Sequence, residues 1–206
     1  MPINYPLDMR FEFHTINPDA KVKVSILVPH ISIRDAGGEL IFYVKQKLFE
    51  LKEKVTVFAD QEQTRPLYRI LADRIIDFSA NYRIYDTAET LLGIARRKGL
   101  RSMWKAEYEI YHGDQNTPAF TLREKSFLVR AIDSIISEIP FIGGLIFNPT
   151  YLVRDIDGIA VMELIKRPSW LELKFRIEKL KTLSHKDEEL LLLSLMMITL
   201  LERTRG

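Results

Sequence analysis

Five times along the chain an alternating apolar run meets a short polar break and is followed by a second apolar run. The breaks centre on Asp35, Asp60, Asp86, His112 to Asp114, and Asp155, and the first four are about 25 residues apart. "SIRDAGGELIFYVKQK" and "RIYDTAETLLGIARRKG" show the form most plainly. Turns favour Asp, Asn and Gly because these residues tolerate unusual backbone angles, so each copy reads as a β-hairpin. A hairpin repeated at a regular period builds an array in one antiparallel sheet. That repetition restricts the fold more than any other property of the chain.

The alternation has a wet and a dry side. In "MWKAEYEIY", Trp104, Ala106, Tyr108 and Ile110 share one face, and Lys105, Glu107 and Glu109 the other. In "WLELKFRIEK", Leu171, Leu173, Phe175 and Ile177 oppose Glu172, Lys174, Arg176 and Glu178. In "KVKVSILVPHISIRD" the dry set runs Val22, Val24, Ile26, Val28 and resumes at Ile31 and Ile33. A bulge or bend is therefore expected at Pro29-His30. Eleven strands are expected between Lys21 and Lys179, and "RFEFH" at 10–14 offers a twelfth. So many strands with one dry face each must close or fold over to hide it.

The filling is expected from "DEELLLLSLMMITLLERTRG", where Leu190 to Leu201 are apolar except Ser194 and Thr199. A helix apolar on every side sits inside a protein or a membrane. This run makes about 18 Å of helix at 1.5 Å per residue, whereas a span needs roughly 20 residues. Asp187, Glu188 and Glu189 ahead of it suit a helix N-terminus. A second helix is expected over "FLVRAIDSIISEIPF", where Leu128, Ile132, Ile135 and Ile139 recur at helical spacing. The expected class is mainly β with α: a closed antiparallel β-barrel of about twelve strands around a buried apolar C-terminal helix at about 186–203. Residues 1–20 are an N-terminal extension or first strand, and 21–206 a single barrel domain.

The order and spacing of "DAGGELIFYVKQKLFELKEKVTVFAD", "YRIYDTAETLLGIARRKGLRSMWKAEYEI" and "DEELLLLSLMMITLL" resemble the LURP-one-related family. That family is kin to the phospholipid scramblases within the Tubby C-terminal-like superfold. The resemblance covers roughly residues 21–203 and implies a twelve-stranded barrel round a central helix. Tubby domains bind phosphoinositides and scramblases act at membranes, whereas LURP-one-like proteins have no settled biochemical activity. The chain departs from the scramblase pattern in lacking a cysteine-rich palmitoylation segment and any span beyond the short final helix. No phosphoinositide-binding residue of Tubby maps onto a position here.

Basic residues number 30 and acidic ones 28, giving a net charge of +2, so neither nucleic acid nor another bulk polyanion is an expected partner. The absence of cysteine excludes disulfides, thiol nucleophiles and thiolate metal sites, and suits a reducing cytosol. "MPINYPLDMRFEFH" shows no basic segment followed by an apolar one, so no signal peptide is expected. One stretch stands apart in charge. "RRKGLRSMWK" carries Arg96, Arg97, Lys98, Arg101 and Lys105 with no acid among them, which leaves the rest of the chain at −3. A turn at Gly99 would set these cations in water beside backbone N–H groups and Trp104, as a candidate anion or lipid-headgroup site. The plainer reading is a solvated hairpin end.

"DIDG" at Asp155 to Gly158 lacks the third oxygen ligand and the distal glutamate of a calcium loop, so it is expected to be a turn. His14, His30, His112 and His185 lack metal-ligand spacing. No catalytic motif is present, and a filled barrel leaves no open interior for chemistry. No cofactor is expected. The expected function is a non-catalytic binding or scaffold module, cytoplasmic and peripheral at a membrane, that takes anionic phospholipid headgroups at the basic hairpin end. The alternative is a protein-interaction module without a lipid ligand, and an enzyme with a surface site ranks third.

Overall fold

At four of the five polar breaks the aspartate side chain accepts backbone N–H groups of its own turn, in the same pattern at three of them. Asp35 Oδ1 accepts the N–H groups of Gly37 and Glu39 at 2.9 Å each. Asp86 Oδ1 accepts those of Ala88 and Thr90 at 2.9 and 2.8 Å, and Asp155 Oδ1 those of Asp157 and Ile159 at 3.1 and 2.8 Å. Asp60 takes Thr64 and Arg65 at 2.9 and 2.8 Å through its two oxygens. The residue three beyond each aspartate is left-handed: Gly38 at φ 85°, Gln63 at 61°, Glu89 at 63° and Gly158 at 78°. A turn that ends in a left-handed residue places an extra residue in one strand of the hairpin. The register accordingly shifts at Ile33/Arg34, Val57/Phe58, Ile84/Tyr85 and Val153/Arg154. The repeated aspartate is the residue that ties these turns.

The computed structural model describes residues 3–16, 26–45, 54–73, 81–98, 107–125, 150–168 and 173–203. Its first six strands are β1 (Leu7–Ile16), β2 (Ile26–Arg34), β3 (Leu40–Lys45), β4 (Lys54–Phe58), β5 (Pro66–Ala72) and β6 (Asn81–Asp86). The rest are β7 (Leu91–Lys98), β8 (Glu107–His112), β9 (Phe120–Glu124), β10 (Thr150–Asp155), β11 (Ala160–Arg167) and β12 (Leu173–Lys179). Each pairs antiparallel with its neighbours in sequence, and β1 pairs β12 from Leu7↔Ile177 to Phe11↔Leu173. The ring of twelve is closed, as the count of dry-faced strands required.

The expected bulge at Pro29-His30 is absent from the β1–β2 pairing. That register runs unbroken from Asp8↔Arg34 to Ile16↔Ile26, and the shift in β2 falls instead against β3, beside the Asp35 turn. The bulges belong to the turn chemistry, not to the proline. The second helix expected over residues 127–141 lies outside the described residues.

The helix α1 (His185–Arg203) fills the ring. Ser184 caps it. Its Oγ accepts the Asp187 N–H at 3.2 Å and donates to Asp187 Oδ2 at 2.7 Å, which satisfies an orphan donor of the first turn reciprocally. Leu190 to Leu200 are buried throughout, with Leu191, Leu192, Leu193 and Leu195 at 0% exposure, so every side of the helix meets barrel wall. The wall supplies Met9, Phe11, Ile33, Ile84, Ile110 and Ile177 among others. Closest approach is at β7. A Cβ built on Gly93 would lie 2.2 Å from the Tyr111 carbonyl oxygen and 2.7 Å from Leu190 Cδ1, so only a glycine admits the helix there. Among the described residues no helix is long and apolar enough to cross a membrane.

Candidate anion-binding site

Alternation along β7 divides its basic end between the two faces of the wall. Gly93, Ala95 and Arg97 are buried and point inward, whereas Arg96 and Lys98 are exposed on the outer face. Arg97 is therefore not in water as the sequence reading expected. It is 7% exposed, because it shares strand parity with the small residues that face α1. Among the described residues its Nε has no hydrogen-bond partner. Arg101 and Lys105, with Gly99 and Trp104, lie outside the described residues. Of the five cations, the structure thus brings together Arg96, Arg97 and Lys98 on one strand end.

The outer face is matched across the ladder. β7 pairs β8 with Arg96 opposite Glu109 and Lys98 opposite Glu107. Arg96 reaches Glu109 Oε2 at 3.0 Å and lies over the Tyr111 ring, 4.7 Å from its centroid. Lys98 Nζ lies 3.2 Å from Glu109 and 3.6 Å from Glu107, and Arg123 on β9 binds Glu107 at 2.6 Å. The Tyr111 hydroxyl donates to Glu109 at 2.6 Å. Burial pushes the Glu109 carboxyl up, but the bonds from Tyr111, Arg96 and Lys98 outweigh it and hold the group below its ordinary value. Lys98 is raised in turn, first by its bond to Glu109. The sequence showed the cations but not these partners, since Glu107 and Glu109 lie on the next strand and meet them only through the β7–β8 register. The strand alternation of Arg96, Arg97 and Lys98 was the one signal that could have separated them.

The opposite end of the barrel carries the aspartate turns and the start of α1. Three acids near its start, Asp187 and Glu188 in the first turn and Glu189 just after it, are each tied to the wall. Asp187 meets His112 Nε2 at 3.1 Å, Glu188 meets Lys179 Nζ at 2.5 Å, and Glu189 accepts from the Tyr68 hydroxyl at 2.9 Å. Burial, and then the bond to Glu189, raise the Tyr68 hydroxyl well above its ordinary value. "DIDG" is a hairpin turn: Asp155 spends one oxygen on two N–H groups and the other on Lys181 at 3.0 Å. Two shallow clefts of about 330 and 410 Å³ flank Ile156, which is exposed together with Ile159 and Leu180. Among the described residues no three His, Asp or Glu side chains are grouped to hold a metal.

A meander barrel closed round its own C-terminal helix, with a cation-tipped strand end, defines the chain as a filled β-barrel of the Tubby-like kind. The chain belongs to the LURP-one-related family, whose model matches residues 40–186. No curated protein and no solved structure matches it.

Proposed function

We propose that this chain is a non-catalytic binding module, cytoplasmic and peripheral at a membrane, that meets anionic phospholipid headgroups with the β7 end of its barrel. The observation that carries this is the layering of charge on the outer face. The side chains of Arg96, Lys98 and Arg123 are 44, 57 and 62% exposed, while Glu109 and Glu107 beneath them are only 10 and 19% exposed. A surface approaching from outside meets the cations first. Each basic side chain near an anionic membrane contributes about 1 kcal/mol, screened by salt.

The test is co-sedimentation with phosphatidylserine vesicles at low ionic strength. Wild-type protein is expected to pellet, and Lys98→Gln with Arg123→Gln to lose most of that binding with an unchanged melting temperature. Wild-type protein that stays in the supernatant would remove the lipid reading. A protein-interaction module would then lead, favoured by exposed Ile156, Ile159 and Leu180 beside the two clefts at the other end.

A further inference from the structure

Arg97 is the unmatched charge of β7. Arg96 and Lys98 on either side are paired with glutamates, but no ion pair or hydrogen bond among the described residues includes Arg97. Arginine has no accessible neutral form, so burial cannot be relieved by losing a proton. The Arg97 Nε is enclosed without a partner among the described residues, and buried donors are ordinarily bonded. Its surroundings in the wall are defined by register. Tyr108 on β8 stands directly opposite, buried, and Ala95 precedes Arg97 on the same inward face. On α1, Leu190 touches β7 at Gly93, and Ser194 follows one helical turn on along the same face. The Ser194 Oγ is also buried without a hydrogen-bond partner among the described residues. The inner wall of β7 and the helix face that meets it thus each hold an unsatisfied polar group.

We propose that Arg97 is the receptor for one phosphate group, held at the rim of the barrel where the inner face of β7 ends. A guanidinium presents its donors in a planar fork that fits the oxygens of a phosphate. The exposed tips of Arg96, Lys98 and Arg123 on the adjoining outer face favour a doubly charged group over a singly charged carboxylate. Arg97 is 7% exposed, so it meets the phosphate alone and not a whole headgroup. The phosphate is either free or the terminal monoester of a lipid headgroup. The inference rests on the reading of the β7 end as the anion-facing end, and it does not require a membrane.

Thermal melting in inorganic phosphate, against chloride at matched ionic strength, reads the site. Wild-type protein is expected to gain roughly 5 °C or more once phosphate stands about 100-fold above its dissociation constant. Arg97→Met should melt no lower than wild type without phosphate, since an enclosed, unbonded donor has been removed, and should not respond to phosphate. Arg97→Lys, which keeps the charge without the fork, should respond more weakly. A wild-type shift no larger than that in chloride, or the same shift in Arg97→Met, would overturn the proposal as an adventitious ion only. Two further probes of wild-type protein identify the source. Phosphatidylcholine vesicles doped with a phosphatidylinositol phosphate, if bound and displaced by phosphate, assign the site to a headgroup; a response to free phosphate alone assigns it to a soluble ligand. If phosphate has no effect while phosphatidylserine vesicles still bind, the inner site falls and the surface reading stands. A phosphate response without vesicle binding removes the surface reading and keeps the site.

Discussion

At Gln63 and Glu89 a residue with a Cβ occupies the left-handed position that Gly38 and Gly158 hold in the sister turns. Left-handed backbone costs a non-glycine residue about 1–2 kcal/mol, which a glycine avoids. Gln63→Gly is therefore expected to raise stability by about 0.5–1 kcal/mol, after the glycine's greater unfolded-state entropy is deducted. Equilibrium urea unfolding checks this, and a lower midpoint would show that the Gln63 side chain makes compensating contacts. The aspartates of these turns carry a pH dependence. Backbone bonds from Thr64 foremost hold the Asp60 carboxyl below its ordinary value, and the bond from Lys181 foremost does so for Asp155. Both folded values are depressed, so the unfolded chain takes up protons first as pH falls. The stabilisation is complete above the ordinary aspartate range near 4 and is lost on descending through the lower folded values. Melting temperature against pH should fall less steeply below pH 4 for Asp60→Asn with Asp155→Asn than for wild type. An identical slope would place the acid sensitivity elsewhere.

Among the elements, β7 carries the most specific demand, because it is both the closest wall to α1 and the source of the candidate site. The atom nearest a Cβ at Gly93 is the Tyr111 carbonyl oxygen, part of the backbone of a paired strand. Backbone cannot swing aside as a side-chain tip can, so Gly93→Ala should cost about 1–3 kcal/mol or more. Calorimetry measures it, and an unchanged melting temperature would mean that the Tyr111 carbonyl and α1 both stand further from β7 than described. The hairpins were legible in the sequence because their turns need a carboxylate two and four residues ahead of backbone donors, and aspartate supplies it at Asp35, Asp86 and Asp155. The bulges were not, because alternation marks faces and not which residues pair across a turn. The same limit governed the site. Arg96, Arg97 and Lys98 could be read as a basic run, but Glu107 and Glu109 neutralise two of them only through the β7–β8 register. Arg97 faces the interior because Gly93 and Ala95 fix the parity of that strand against the helix.

In the whole molecule, the centre of the barrel is already occupied. A filled interior confines any ligand to the rims and the outer face, which is why the reading is of binding and not of chemistry in a central cavity. The occupant is the segment Leu190 to Leu200, buried on every side and capped by Ser184 at the turn end. Native-state hydrogen exchange measures this directly. Amides in α1 should exchange only through global unfolding, as slowly as those of inner strands such as β6 and β8, and with the same dependence on denaturant. Exchange of Leu190 to Leu200 by a local opening, at far lower free energy than the strands, would show a detachable helix and contradict the filled barrel.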